Sequence, residues 1–180
     1  MFTLARFSEA FLVIRARDIG LALVWTPAVI AWMSLVYAMS AYPAGRLQDR
    51  IGARPLLLLG IASLIAADLV IVFSPMLLAA FAAIGLWGLH MGFTQGVLSA
   101  LVAETAPQRL RGTAFGLFGL ITGVAALLAS VVAGLLWDRI GAEATFLAGA
   151  AFAAMALLAF LLVRQRPRGL AGKSGAIPPI

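Results

Sequence analysis

The ten residues Ala44-Gly-Arg-Leu-Gln-Asp-Arg-Ile-Gly-Ala53 recur as Ala133-Gly-Leu-Leu-Trp-Asp-Arg-Ile-Gly-Ala142, with eight of the ten positions identical. Each copy follows one long apolar stretch and precedes another. The pattern indicates two copies of one unit, each with three apolar stretches and a charged segment, here called the elbow, after the second stretch. Because an odd number of membrane spans per unit places the two elbows on opposite faces of a membrane, the repeat predicts a 3+3 inverted topology.

The composition is that of a protein whose solvent is lipid. The chain is 63% hydrophobic and 11% charged, with a mean hydropathy of +1.07. The apolar runs are too long for strands and do not alternate, so we expect an all-α integral membrane protein. The absence of cysteine excludes disulfides and thiolate metal sites, and one histidine leaves little to bind a metal, so no metal is expected. The net charge of +6 lies in short loops and a tail rather than on a nucleic-acid-binding surface.

Six membrane helices are expected, at about residues 1–14, 22–42, 55–73, 76–103, 110–137 and 144–163. They form one membrane domain over residues 1–165, followed by a disordered basic tail at 166–180. The first helix is short: about 14 residues cover about 21 Å of a hydrocarbon core about 30 Å thick. Either sequence upstream completes this helix, or it is a half-span.

The loop charges predict an orientation. One end of the predicted bundle carries nine basic residues: Arg46, Arg50, Arg54, Arg109, Arg111, Arg164, Arg166, Arg168 and Lys173. The other end carries only Arg15, Arg17 and Arg139. Since positive residues accumulate on the cytoplasmic side, both termini are predicted to be cytoplasmic, in a bacterial inner membrane.

Two charged segments carry a resemblance to a known family. Gly45-Arg-Leu-Gln-Asp-Arg-Ile-Gly-Ala-Arg54 resembles the cytoplasmic loop signature of the major facilitator superfamily (MFS), although Ala53 stands where a second basic residue is common. Glu104-Thr-Ala-Pro-Gln-Arg-Leu-Arg-Gly112 resembles the loop before the family's eleventh helix. Members have twelve helices in two halves, and this chain resembles helices seven to twelve, starting partway into the seventh.

The resemblance implies a function and its partners. It implies the C-terminal half of a secondary transporter that moves a small solute by alternating access. Glu9 and His90 are the candidates for coupling this transport to protons. The implied partners are the lipid bilayer, the solute and an N-terminal six-helix half on the same or a separate polypeptide, with no cofactor. A stand-alone membrane module without transport activity is the alternative. An intramembrane enzyme is disfavoured, because the chain lacks a Gly-x-Ser-x-Gly elbow and has a single histidine.

The charged segments also predict a conformational latch at the cytoplasmic end. Its members are Gly45, Asp49, Arg50, Gly52, Arg54, Glu104 and Arg111. In this prediction the two glycines hold a tight turn, and Asp49 faces the positive start of the fifth helix and pairs with Arg111. Arg50 and Arg54 pair with Glu104, and the contacts release in the other transport state. The alternative is that these are solvated charges that only set orientation.

Polar residues inside the membrane are the candidates for a substrate or proton pathway, because burying them in lipid is costly. Arg6 and Glu9 are expected to share a face of the first helix and to pair, either at a cavity or as a structural pair. Helix four contributes further candidates on or beside one face: Trp87, His90, Thr94 and Gln95. His90 can relay protons or serve as an ordinary hydrogen-bonded core residue. Asp68 is expected at the membrane interface.

Overall fold

The computed structural model describes residues 6–162, and within that range every regular element is helical. The six α-helices are α1 Ala10–Asp18, α2 Thr26–Ile51, α3 Ala53–Phe73, α4 Leu77–Thr105, α5 Arg111–Arg139 and α6 Ala142–Leu162. Short 3-10 turns at Leu23–Trp25 and Gln108–Leu110 lead into α2 and α5. The prediction of an all-helical chain is therefore confirmed, and the tail predicted at 166–180 lies outside the described residues.

Five of the described helices, α2 to α6, are long and apolar enough to cross a membrane. The predicted first span is not among them. Residues 6–8 are not helical, and α1 has only nine residues. The Ser8 hydroxyl accepts a hydrogen bond from the Ala10 backbone N–H at 3.3 Å, so its side chain competes with helical pairing at this point.

The C-terminal end of α1 also differs from the prediction of a helix ending at Ile14. The helix continues to Asp18, and Gly20 adopts a left-handed φ of 112°. The backbone N–H of Leu21 donates to the Ala16 carbonyl at 3.0 Å, and that of Gly20 donates to the Arg17 carbonyl at 2.9 Å. This pair of bonds is the Schellman motif, which ends a helix where glycine can take a positive φ.

The first elbow is mostly helix rather than a tight turn, which corrects the sequence prediction. α2 continues through Pro43, Gly45 and Asp49, and the chain turns only at Gly52, with φ 85° and ψ 171°. Pro43 costs the helix one hydrogen bond. The helix nevertheless continues through Gly45 and ends only before Gly52, whose positive φ lets the chain turn into α3.

The second elbow has the same local structure. α5 ends at Asp138-Arg139, and Gly141 has a φ of 124° directly before α6 begins at Ala142. The Gly141 backbone N–H donates to the Leu136 carbonyl at 3.0 Å. In both copies, therefore, Asp-Arg-Ile-Gly ends a long helix and the left-handed glycine starts the next one.

The helices pack around α4 and α3. α4 lies mainly against α3 and α2, and α3 also packs extensively against α6. Two of the glycines on α4 allow the close approach of α2: a β-carbon on Gly88 would lie 2.5 Å from the Met33 carbonyl oxygen, and one on Gly92 would overlap the Ser40 hydroxyl. Half of the most apolar 18-residue stretch of α4 is buried, whereas only 6% of the corresponding stretch of α5 is buried. Among the five long helices of the described range, α5 is thus the one with the smallest buried share.

Candidate functional site

A cavity of about 890 Å³ lies between the N-terminal segment and α5. One wall is made by residues 6–10 together with Val13 and Ile14 of α1. The facing wall is α5, which contributes Gly119, Thr122, Gly123, Ala126, Leu127 and Ser130. Ile30 of α2 and Trp87 of α4 complete the lining. The cavity is therefore bordered by three of the helices that are able to cross a membrane.

Arg6 and Glu9 bring opposite charges to this cavity. Both line it, and Arg6 lies within electrostatic reach of Glu9 and of His90. They do not share a helix face as the sequence predicts, because residues 6–8 are not helical and the i, i+3 spacing of a helix does not apply. Within the described residues the two side chains form no ion pair. Each charge is therefore available to a group of opposite charge in the cavity.

Two of the cavity-lining residues, Phe7 and Trp87, belong to an aromatic cluster. Phe7 packs against Phe11, Trp87 and Phe146 with ring centroids 5.4 to 5.5 Å apart. Trp87 and Phe146 are 1% and 0% exposed. Trp87, a predicted site residue, thus lines the cavity and also belongs to the hydrophobic core.

Two of the other α4 candidates lie in the helix interface rather than in the cavity. His90 Nδ1 donates to the Gly60 carbonyl oxygen at 2.8 Å, which fixes the proton on Nδ1 because a carbonyl can only accept. The Thr94 hydroxyl donates to the His90 carbonyl at 2.8 Å and its methyl group lies against Gly60. Both side chains are fully buried and join α4 to α3, whereas Gln95 is half-buried and does not line the cavity.

The predicted latch residues are spread over one end of the bundle without pairing in this conformation. Asp49, Arg50, Glu104 and Arg111 are exposed. In the range that the structure describes, none of them forms an ion pair with another. The predicted contacts of Asp49 with Arg111 and of Arg50 with Glu104 are therefore not formed in this conformation.

Arg54 has a different partner from the predicted Glu104. Its Nη2 donates to the Phe160 carbonyl at 3.2 Å and to the Leu161 carbonyl at 3.5 Å. Its guanidinium also lies over the Phe160 ring, 5.5 Å from the centroid. Arg54 thus joins the start of α3 to the last described turn of α6. Its positive charge stabilises the backbone carbonyls there that have no partner within the helix.

The opposite end of the bundle carries an ion pair that the sequence did not predict. Arg15 Nη2 of α1 lies 3.9 Å from Glu143 Oε1 in the first turn of α6. Glu143 is 69% exposed, so the pair contributes little to stability.

Three further polar residues were missed or misplaced by the sequence analysis. Thr122 and Ser130 line the cavity from α5, and Ser130 Oγ accepts a hydrogen bond from the Ser8 backbone N–H at 3.2 Å. Their spacing of eight residues puts them on one face of the helix, and this spacing could have identified them from the sequence. Asp68 was expected at the interface but is 0% exposed, because the small residues of α6 let that helix pack directly over it.

The sequence of the chain is similar to those of known membrane transporters. The model of the Major Facilitator Superfamily matches residues 2–178. An uncharacterized MFS-type transporter of Methanocaldococcus jannaschii is 33% identical over 174 residues, which cover 91% of this chain and 42% of that protein. An uncharacterized MFS-type transporter of Mycobacterium tuberculosis is 30% identical over 123 residues, 66% of this chain and 21% of that protein. The chain thus spans less than half the length of these relatives.

Proposed function

This chain belongs to the Major Facilitator Superfamily of membrane transporters, and from that premise we propose that it forms the C-terminal six-helix half of a secondary transporter. The transported substrate is a small solute, and the mechanism is alternating access. No cofactor takes part. The observation that carries this proposal is the cavity with Arg6 and Glu9 in its wall, between helices able to cross a membrane.

The lining of the cavity favours a solute that carries a charge. Arg6 and Glu9 supply one charge of each sign, and the Thr122 and Ser130 hydroxyls face the same space. Charged side chains within a membrane protein are retained mainly where they bind a substrate or an ion. Hydrogen bonds that involve a charged group are also roughly twice as strong as neutral ones, so Arg6 is well suited to an anionic group of the solute.

The exposed surface of α5 supports a second half as partner. α5 provides most of one cavity wall, yet it is the least buried of the five helices. Its outer surface is a contiguous set of large apolar side chains, among them Leu117, Leu120, Ile121, Val124, Leu128 and Val131. In the proposal an N-terminal six-helix half, on the same or a separate polypeptide, packs against α2 and α5 and closes the cavity.

The charge distribution supports the orientation in the membrane. The Asp49 end of the bundle is cytoplasmic in this proposal, together with the C-terminal end of α6, and the Asp138 end is external. The two copies of the elbow motif then lie on opposite faces as a 3+3 inverted repeat requires. A bacterial inner membrane is the proposed location.

This orientation can be tested by cysteine labelling, because the chain has no cysteine of its own. Gln48→Cys and Glu143→Cys place one thiol at each end of the bundle. An impermeant thiol reagent applied to intact cells is expected to label position 143 and not position 48. Permeabilised cells serve as the control, since both thiols should then react. Labelling of position 48 in intact cells would reverse the orientation.

The latch contacts are not formed in this conformation, and we propose that they form in the other transport state. Asp49 is exposed at the end of α2 and Arg111 begins α5, so a shift of α5 toward α2 would bring the carboxylate to a helix N-terminus. A carboxylate at that position stabilises an exposed helix end by about 0.3–1 kcal/mol. Because transport states differ by only a few kcal/mol, such an energy can change their populations.

Asp49→Asn is therefore expected to lower the transport rate roughly twofold to fivefold, the change that this energy corresponds to. The variant should still reach the membrane in normal amounts. Asp138→Asn, in the second copy of the same motif, is the matched control and should leave transport unchanged. Equal rates in the two variants would identify Asp49 as an ordinary loop charge.

A further inference from the structure

Asp68 of α3 is a carboxyl group enclosed within the helix bundle. Its side chain is 0% exposed. Both carboxyl oxygens are buried, and neither has a hydrogen-bond partner among the residues that the structure describes. Asp68 does not line the cavity, so the proposed substrate contacts do not use it. A buried ionisable side chain without a partner requires a physical account.

The neighbours of Asp68 are a glycine and an aromatic ring. A β-carbon on Gly149 of α6 would lie 2.9 Å from Asp68 Oδ2 and 2.8 Å from Phe7 Cε1. The carboxyl group and the Phe7 ring therefore meet at the same point, directly over the backbone of α6. Phe7 also lines the cavity, so this one residue borders both the cavity and Asp68.

The elements around Asp68 offer it no compensating charge. The ionisable residues on these elements are Glu143 on α6, His90 and Glu104 on α4, Arg54 on α3 itself, and Arg6 and Glu9 on the N-terminal segment. Within the described range, no basic nitrogen lies within 4.0 Å of the Asp68 carboxyl oxygens. An isolated carboxylate in apolar surroundings is so unfavourable that the group takes up a proton instead.

We propose that Asp68 is a proton-binding site, neutral in this conformation, and that the Phe7 ring separates it from the water of the cavity. Release breaks the carboxyl O–H bond: the proton passes to water from the cavity, and the electron pair stays on the carboxylate. Displacement of the Phe7 ring gives that water access. A solute or a helix movement that displaces the ring thereby couples cavity occupancy to proton release.

This inference deepens the proposed function and rests on it only for the role of the cavity. The bound proton itself can be read without any transport activity. Infrared spectroscopy distinguishes a protonated carboxyl, whose C=O stretch lies above the amide I band, from a carboxylate. The measurement uses the purified chain in lipid nanodiscs, first in H2O and then in D2O, so that the carboxyl group carries either a proton or a deuteron.

At pH 7 we expect a protonated-carboxyl band in the native chain that is lost in Asp68→Asn. Asp138→Asn, which removes an exposed aspartate, should retain the band. Labelling the aspartate carboxyl carbons of the native chain with carbon-13 should shift the band, which assigns it without any substitution. If the band is absent in the native chain, or if it survives in Asp68→Asn, the proton site is not at Asp68.

The role of Phe7 is tested by hydrogen exchange at the same band. On transfer to D2O, Phe7→Ala is expected to exchange the Asp68 proton at least tenfold faster than the native chain. Phe11→Ala is the matched control, because Phe11 belongs to the same aromatic cluster but does not line the cavity. Equal exchange rates in the native chain and Phe7→Ala would overturn the assignment of Phe7 as the barrier while leaving transport by the cavity unaffected.

Discussion

Arg6→Gln is expected to reduce transport by about 10- to 150-fold at low substrate concentration, measured with this chain assembled with an N-terminal half. Arg6 lines the cavity, forms no ion pair within the described residues, and has its Nε buried without a hydrogen-bond partner. A hydrogen bond from such a cation to a solute contributes about 1.5–3 kcal/mol, which corresponds to this loss of affinity. Saturable uptake into vesicles measures it, with a solute found by thermal-shift screening of small carboxylates, amines and amino acids.

The control for this prediction is Arg17→Gln. Arg17 lies on α1, close to Arg6 in sequence, but it is exposed and does not line the cavity. It should leave the uptake curve unchanged. Glu9→Gln then reports the sign of the solute, since it should weaken the binding of a cation and spare that of an anion. If neither Arg6→Gln nor Glu9→Gln alters uptake, the cavity is not the substrate site.

Vesicles that contain only this chain are expected to show no saturable solute flux. The reason is that the cavity lacks a wall beside α5. This helix borders the cavity, but only 6% of its most apolar 18-residue stretch is buried. Co-expression of a matching N-terminal half should bury that surface and produce flux. The chain should still insert into the membrane when expressed alone, because α2 to α6 are long and apolar enough to span it.

The control for this experiment is a disrupted α5 surface. Leu120→Lys and Val124→Lys place charges on exposed positions of α5 and should prevent association with the second half. Co-purification of the two halves should then fail together with flux. A symmetric pair of this chain could instead supply the missing wall. Substrate-specific, saturable flux from the chain alone would show that one half is enough.

The comparison between sequence and structure is clearest at the two elbows. The repeat of Asp-Arg-Ile-Gly is a sequence feature, and in the structure both copies end a long helix, with positive-φ glycines at 52 and 141. What the repeat did not reveal is that the charged residues before Gly52 belong to α2. The sequence prediction ended this helix at Tyr42, before Pro43 and Gly45. Both residues weaken a helix without always ending it, and α2 continues past them.

The candidate site was predicted only in part. Arg6, Glu9 and Trp87 line the cavity. The first two were singled out because charges within apolar stretches are costly, and Trp87 because it shares a helix face with His90 and Thr94. His90 and Thr94 belong to the same class of residue but lie in the contact between α3 and α4. Residue type alone does not distinguish these two situations, because both place a polar side chain inside the membrane.

The sequence by itself determined the membrane-spanning character, the helical class, the repeat and the family, because apolar length and glycine spacing are local properties of the chain. Only the tertiary structure decided which polar side chains face the cavity. The α5 residues Thr122 and Ser130 enter its wall, and Asp68 becomes enclosed beneath Gly149, because of the way the helices pack. Helix packing in lipid depends on close contacts between small residues on different helices, and those pairings are not encoded in any single apolar stretch.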